Sequence, residues 1–165
     1  MTIIKTEEFI LRPIKLSDAK HYFEVMQDKE TKKNLTSVPK DLAEAKQEIK
    51  DYIKQMKDKD SEIFTVEIKG KYAGTVLLQH QNWDPASDEG RVHVWIHPDY
   101  RGKGLAERAL KEVMNHGFKN KFKRTFAQCK ASNKDMINVL KKLGFKKIKT
   151  HSVNDAKKIL WVKEK

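Results

Sequence analysis

The second half of the chain alternates strand and helix patterns, and this alternation limits its possible folds more than any other feature. An alternating apolar run covers 91–97, and a second strand pattern covers 123–130. Between them, Leu105, Ala109 and Val113 recur at helical spacing. Two strands joined through a helix run parallel in one sheet. The neighbouring hairpins are antiparallel, so we expect a mostly antiparallel sheet with one parallel strand pair.

The other elements follow from hydrophobic period, capping residues and turn residues. Strand patterns cover 9–14, 62–69, 72–80, 145–152 and 158–163, and helix patterns cover 17–27, 41–59 and 133–143. The predicted order is βααβββ followed by αβαββ. We therefore predict an α+β (mixed α/β) fold for a single domain, residues 1–165, in which about four helices flank a central twisted sheet.

The composition excludes several classes of protein. The only cysteine is Cys129, which rules out an internal disulfide framework and a cysteine-rich zinc module. The six histidines form no ligand cluster, so no metal is expected. No run of about 18 apolar residues occurs, and the N-terminus lacks a signal-peptide pattern. We expect a cytoplasmic protein without a membrane partner.

The charge is strongly basic and unevenly placed. The net charge is +12, and 119–149 holds eleven Lys/Arg residues against one acid, Asp135. Such a segment favours a polyanion as partner, although a solvated lysine-rich surface is the alternative. Lysine far outnumbers arginine in the chain, and arginine dominates base-specific recognition. We expect weak, non-specific contact with RNA or the ribosome at most.

A glycine-rich turn separates strand 91–97 from the following helix. The turn reads Pro-Asp-Tyr-Arg-Gly-Lys-Gly-Leu-Ala over residues 98–106. Glycines let the backbone approach a ligand, and unpaired N–H groups at a helix start favour an anion such as phosphate. Glu107 stands where a dinucleotide-binding fingerprint needs a small residue, and no P-loop motif is present. An ordinary strand-to-helix turn is the alternative.

Three segments resemble the GCN5-related N-acetyltransferase (GNAT) superfamily. Residues 101–106 match its R/Q-x-x-G-x-G/A motif, and 133–145 resemble its second signature, an Asn-capped helix ending in K-x-G-F. The start of the chain, 11–19, is similar to the RimJ/RimL-type branch that acetylates ribosomal proteins and protein N-termini. The resemblance implies a GNAT-like domain in which the parallel strand pair is splayed. It also implies transfer of acetyl from acetyl-CoA to a primary amine, here a protein N-terminal α-amine.

The resemblance also assigns cofactor-binding residues. The turn residues Arg101, Gly102, Lys103, Gly104, Leu105 and Ala106 hold the pyrophosphate of acetyl-CoA. The backbone of Val94, Trp95 and Ile96 pairs with the pantetheine arm, as in strand addition. The Asn133 side chain meets the cofactor, unless it is only a helix N-cap.

The catalytic groups are less well marked. Many family members have a tyrosine general acid where this chain has Leu140, and the branch usually has a serine where Met136 stands. Glu89, His93 and His80 are candidates for the general base. His93 is favoured for its expected near-neutral pKa, although a strand histidine is often only solvated. Cys129 is expected in the core.

Other functions stay open at this point. The acceptor could be a small amine such as an antibiotic, an amino acid or a polyamine, although a polycation fits poorly beside so basic a surface. A CoA- or nucleic-acid-binding module without catalysis is a further alternative. The loops 81–90 and 28–41 are expected to line the acceptor cleft. The sequence names neither the acceptor nor the oligomeric state, and an oligomer is compatible with it.

Overall fold

The computed structural model describes residues 1–165, and its centre is an eight-stranded sheet with helices on both faces. The strands are β1 (Ile4–Lys5), β2 (Ile10–Pro13), β3 (Ser61–Ile68), β4 (Lys71–His80), β5 (Glu89–Ile96), β6 (Arg124–Lys130), β7 (Lys146–Val153) and β8 (Ala156–Glu164). The helices are α1 (Ala19–Gln27), α2 (Lys29–Asn34), α3 (Leu42–Lys57), α4 (Leu105–Asn120) and α5 (Lys134–Lys142). The strand order is β1-β2-β3-β4-β5-β6-β8-β7.

The parallel pair predicted from the sequence is β5 with β6, and it is splayed. Only Glu89–Arg91 pair with Arg124–Phe126, and every other neighbouring pair in the sheet is antiparallel. Beyond Arg91 the two strands separate, so a cleft opens in the middle of the sheet. The predicted fold class is therefore confirmed.

Two hydrophobic cores lie on opposite faces of the sheet. On one face α4 and α5 pack through Leu110, Val113 and Leu140 against strand residues that include Val92. On the other face α1 and α3 pack with Ile63 and Leu77, and Trp95 joins this second core. Successive side chains of the 91–97 strand therefore point to opposite faces of the sheet, as the alternating pattern predicts. None of the helices combines the length and apolarity that spanning a bilayer requires.

The structure differs from the predicted elements at β1 and α2, neither of which was predicted, and in the length of α4. The α2 sequence Lys-Glu-Thr-Lys-Lys-Asn carries no apolar stripe, so hydrophobic period could not reveal it. Helix α4 was expected to end near Gly117 but continues to Asn120. A Cβ on Gly117 would lie 3.0 Å from the Phe122 ring and 3.1 Å from Leu78, so this glycine permits close packing inside the helix.

Candidate active site

A cavity of about 530 Å³ lies where β5 and β6 separate. It brings together most of the predicted site residues: His93, Val94, Trp95, Ile96, Arg101, Gly102, Gly104, Leu105, Ala106 and Asn133. The predicted residues Lys103 and Glu89 are not part of its lining. The splayed strands, the turn after β5 and the start of α5 therefore converge on one space.

The turn after β5 presents a row of free backbone donors. Gly102 and Gly104 adopt φ values of +74° and +70°, a region that other residues rarely occupy. The N–H groups of residues 102–107 make no hydrogen bond within the protein. They lie at the start of α4, where the helix dipole adds positive potential, so the turn is suited to bind an anion.

Arg108 holds this turn in place. Its Nη1 donates to the Lys103 carbonyl at 2.7 Å, and its Nε and Nη2 donate to the Glu8 carboxylate at 2.7 and 2.6 Å. The Lys103 side chain itself is exposed. The backbone of the turn is thereby fixed by a side chain one helical turn further along.

Arg101 differs from the other residues of the turn. Its N–H donates to the Pro98 carbonyl at 3.3 Å, so it is not a free donor. Its guanidinium contacts Asp28 Oδ2 at 2.7 Å and donates to Thr31 Oγ1 at 2.8 Å. Burial raises the pKa of Asp28, but hydrogen bonds from Arg101 and from the Thr31 N–H outweigh it and hold that pKa below its usual value. The Arg101 side chain therefore anchors α2 to the turn.

The 28–36 segment, which contains α2, crosses the cavity. At its far end Lys130 Nζ donates to the Lys33 carbonyl at 2.9 Å, and Lys158 Nζ donates to Thr36 Oγ1 at 2.8 Å. Its cavity-lining residues are Glu30, Thr31, Asn34 and Leu35. The loop 81–90, also expected at the cleft, instead contributes residues 85–88 to a second cavity of about 560 Å³ beside the start of β3.

His93 and Trp95 form the cavity wall on the α1 side of the sheet. Their rings stack with centroids 6.0 Å apart and planes 7° from parallel. Burial, to which the positive charges of Arg91 and Lys158 add, lowers the pKa of His93 to about 4. The near-neutral pKa expected for His93 is therefore wrong, because the sequence could not show the burial or the cross-strand lysine.

The two other candidate bases lie elsewhere. Glu89 begins β5, and its carboxylate contacts Arg124 at 3.4 Å. His80 is buried, with Nδ1 hydrogen-bonded to the Ser87 carbonyl at 2.9 Å and its ring against Phe122. Both side chains have structural partners, so the geometry favours His93 among the three, and a catalytic role for Glu89 stays a prediction.

Asn133 caps α5 and lines the cavity at the same time. Its Oδ1 accepts the Met136 N–H at 3.2 Å, which leaves the side-chain NH₂ free to donate. Leu140 is buried in the core, and Met136 packs against that core. Neither side chain offers a proton, as the sequence indicated.

Cys129 belongs to the core, as expected, although it also touches the cavity. Burial raises the pKa of its thiol, which disfavours a thiolate nucleophile. The lining also includes residues that the sequence did not indicate, among them Tyr100 and Gln128. The alternation along β6 could have indicated Gln128, but the 3₁₀ turn that holds Tyr100 has no such periodicity.

Most of the chain matches a known protein family. A family model described as an acetyltransferase (GNAT) domain matches residues 8–146. The chain belongs to the GNAT acetyltransferase family. It is 36% identical over 96 residues to spermidine N(1)-acetyltransferase of Escherichia coli (strain K12), a match that covers 57% of this chain and 50% of that protein. This GNAT chain thus matches about half the length of its curated relative.

Solved structures extend the comparison over the whole GNAT fold. RimL, a ribosomal L7/L12 alpha-N-protein acetyltransferase in complex with coenzyme A, superposes with a TM-score of 0.86 at 14% identity, over 99% of this chain and 98% of that one. The ribosomal-protein-S5-alanine acetyltransferase of Vibrio fischeri gives a TM-score of 0.82 at 24% identity, over 99% and 97%. At these identities the likeness shows the fold alone.

Proposed function

We propose that this GNAT domain is an acetyl-CoA-dependent N-acetyltransferase that acts on a protein N-terminal α-amine. The observation that carries the proposal is the row of six free N–H groups at 102–107, at the edge of the cleft between β5 and β6. A diphosphate fits such a row because each oxygen can accept from a fixed backbone donor.

The pantetheine arm would lie along the separated part of β5. The His97 N–H donates to the Ala73 carbonyl at 2.8 Å, which places the odd-numbered residues of β5 in hydrogen-bonded pairs with β4. Because ladder bonds alternate along an antiparallel strand, the N–H and C=O groups of Val92, Val94 and Ile96 point toward β6. Beyond Arg91, β6 does not pair with them, so a peptide-like arm can add there as a strand.

The backbone of β5 can also assist the attack of the amine on the thioester. The N–H groups of Val92 and Val94 can donate to the oxygen that becomes negative when an amine attacks a thioester. The neutral imidazole of His93 lines the cavity and can accept a hydrogen bond from the attacking amine. With Leu140 and Met136 at the family's usual donor positions, the thiolate leaves without a side-chain acid, which a thiol of pKa about 8.5 tolerates.

The acceptor class follows from amine basicity. At pH 7 an α-amine with a pKa near 8 is roughly 10% neutral, whereas a lysine near 10.4 is only about 0.04% neutral. A site without a strong base is therefore better matched to an α-amine. The structural likeness to the α-N-protein acetyltransferase RimL supports the same class.

A small polyamine is the second candidate, favoured by the 36% identity to a spermidine acetyltransferase. The positive charges of Arg91 and Lys158 beside His93 oppose it, because they would repel a polycation.

The test is Gly104→Val, with Gly70→Val as its matched control. Both glycines have a positive φ, at +70° and +77°, so both substitutions strain the backbone similarly, and a Cβ on Gly104 would also lie 2.9 Å from Arg108 Nη1, the end of a flexible side chain. Only Gly104 lies at the cavity. We expect calorimetry to show acetyl-CoA binding lost in Gly104→Val and retained in Gly70→Val, with both proteins folded by circular dichroism. Unchanged acetyl-CoA affinity in folded Gly104→Val would contradict the site, and absence of thiol release with every α-amine peptide would contradict the activity.

A further inference from the structure

The sheet face that carries His93 has an open region beyond α1 and α3. Cross-strand register places Arg91 opposite Phe126, Phe126 opposite Val162, and Gln128 opposite Leu160. These side chains are only half-buried, whereas the residues that alternate with them on β6 and β8 are buried on the other face: Ala127, Cys129, Ile159 and Trp161. We call this region, with Lys130 and Lys158 at its edge, the open face.

The open face carries cations without carboxylate partners. Arg91 lies two residues from His93 on the same strand face, roughly 7 Å along β5. It forms no ion pair, and Lys130 and Lys158, which pair across β6 and β8, bond only to carbonyl or hydroxyl oxygens of the 28–36 segment. Arg91 and Lys158 both act on the His93 imidazole through their charge, so their field reaches the cavity.

The nearby carboxylates do not neutralise this field. Glu89 and Glu164, at the far end of the open face, both contact Arg124, at 3.4 and 3.7 Å. On the α1–α2 side, Glu24 contacts His97 and Asp28 contacts Arg101. Glu30 lines the cavity but is exposed to solvent, which screens its charge. Glu107 and Asp135 also line the cavity, but from α4 and α5, which pack on the opposite face of the sheet from His93. The surroundings of His93 therefore remain positive.

We propose that the acceptor carries acidic groups directly after its reacting amine, as in a protein N-terminus whose second or third residue is Asp or Glu. The inference rests on the proposed function and names its substrate class. An extended peptide advances about 3.3 Å per residue, so the side chain two residues beyond an amine at His93 lies level with Arg91. A carboxylate at that position is attracted by the positive charge of Arg91, whereas a lysine there is repelled by it.

The test compares two peptides that differ only in charge. Both begin with serine and a free amine, one followed by two glutamates and the other by two lysines, with identical residues after that. We expect kcat/KM for the acidic peptide to exceed that for the basic peptide by at least about tenfold, and spermidine to be poorer than the acidic peptide. Equal values, or a preference for the basic peptide or spermidine, would overturn the proposal.

Arg91→Glu and Lys147→Glu separate the local charge from the net charge. Both change the total by the same amount, but Lys147 lies opposite Trp161, on the other face of the sheet. We expect Arg91→Glu to reduce the acidic preference at least about fivefold and Lys147→Glu to preserve it. An equal effect of the two substitutions would contradict a role for the open face.

A binding measurement tests the preference for an acidic acceptor independently of acetyl transfer. The N-acetylated forms of the two peptides resemble the products, so their affinity for the protein in the presence of CoA reports charge preference without turnover. Tighter binding of the acidic form with no transfer to either free peptide would contradict the proposed activity while supporting the acceptor preference. Equal binding of both forms would contradict the preference whatever the turnover.

Discussion

Arg101 Nη1 lies 2.7 Å from Asp28 Oδ2, and this ion pair joins the glycine turn after β5 to the residue that caps α2. The same guanidinium donates to Thr31 Oγ1. The backbone that we assign to the pyrophosphate and the 28–36 segment that crosses the cavity thus share one anchor. A change at this pair is therefore expected to act on acceptor binding through α2.

Asp28→Ala tests that coupling. It removes the ion-pair partner of Arg101 and the acceptor of the Thr31 N–H, so α2 loses its N-cap and keeps only the Arg101–Thr31 hydrogen bond to the turn. We expect KM for the acceptor peptide to rise about fivefold or more, as for loss of one N-cap interaction worth about 1 kcal/mol, with little change in KM for acetyl-CoA.

Asp41→Ala is the matched control, since Asp41 caps α3 away from the cavity by accepting the Glu44 N–H at 2.8 Å. Steady-state kinetics with each substrate varied in turn gives both KM values. A comparable increase in acceptor KM in the two variants would show that the effect comes from general loss of stability.

The depressed pKa of His93 predicts the pH dependence of the rate. With that pKa near 4, the imidazole is already neutral throughout pH 6–9. We expect kcat/KM for an α-amine peptide to rise up to about pH 8, where the amine itself loses its proton. His93→Gln should lower the rate and leave this apparent pKa unchanged. An inflection between pH 6 and 7 that disappears in His93→Gln would show that His93 titrates near neutrality.

His93 also affects stability as the pH falls. Its pKa is about 4 in the folded protein against about 6.5 unfolded, so between these values the unfolded chain binds the extra proton. The contribution is fully present above pH 6.5 and is lost progressively toward pH 4. Denaturant melts at pH 7 and pH 5 should therefore show a larger fall in unfolding free energy for the wild type than for His93→Gln. Equal falls would contradict a depressed pKa.

Elements with a clear hydrophobic period were predicted from the sequence, and α2 was not. The capping residues Asp41 and Asn133 act at the predicted helix starts, because a cap is a local interaction that the sequence encodes. Helix α2 depends instead on Arg101 and Lys130, which lie about 70 and 100 residues away along the chain. Contacts between residues so far apart in the chain leave no local pattern in the sequence.

The residues of the site likewise divide into those with local sequence signals and those whose properties depend on contacts distant in the chain. The turn at 101–106 and Asn133 could be found because glycine, a helix start and a cap have recognisable sequence signals. The depressed pKa of His93 could not, since it arises mainly from burial, to which the charges of Arg91 and Lys158 add, and Lys158 reaches the site only through the register of β8 with β6. That register is set by packing of the whole sheet.

Gly90→Ala tests the packing where β5 begins. A Cβ on Gly90 would lie 2.8 Å from two carbons of the Phe122 ring, which is itself buried. A rigid ring in a filled core cannot move aside, so we expect a loss of about 1–3 kcal/mol of unfolding free energy in urea melts. Adding Phe122→Leu should recover part of the loss. No loss from Gly90→Ala alone would show that the ring can shift.

The basic segment 119–149 divides into paired and unpaired cations. Lys121, Lys123 and Arg124 contact Glu62, Asp88 and Glu89, respectively. Apart from Lys119 on α4, the unpaired and exposed set lies on α5 and β7, and we call it the basic surface: Lys134, Lys141, Lys142, Lys146, Lys147 and Lys149. One diphosphate-containing cofactor cannot use all of these charges, so they are either solvated or meet a polyanion such as RNA.

Salt dependence distinguishes the two roles of the basic surface. If it docks RNA, binding releases counterions, and log affinity falls linearly with log salt concentration. Replacing Lys141, Lys142, Lys146 and Lys147 by glutamate should then weaken binding to a single-stranded RNA and reduce the slope by about 3. The same change at the exposed α3-side lysines, Lys40, Lys46, Lys50 and Lys57, should lower affinity less and leave the slope nearly unchanged. Absence of binding by the wild type at low salt would make the basic surface a solvated one, because that condition is the most favourable for phosphate contacts.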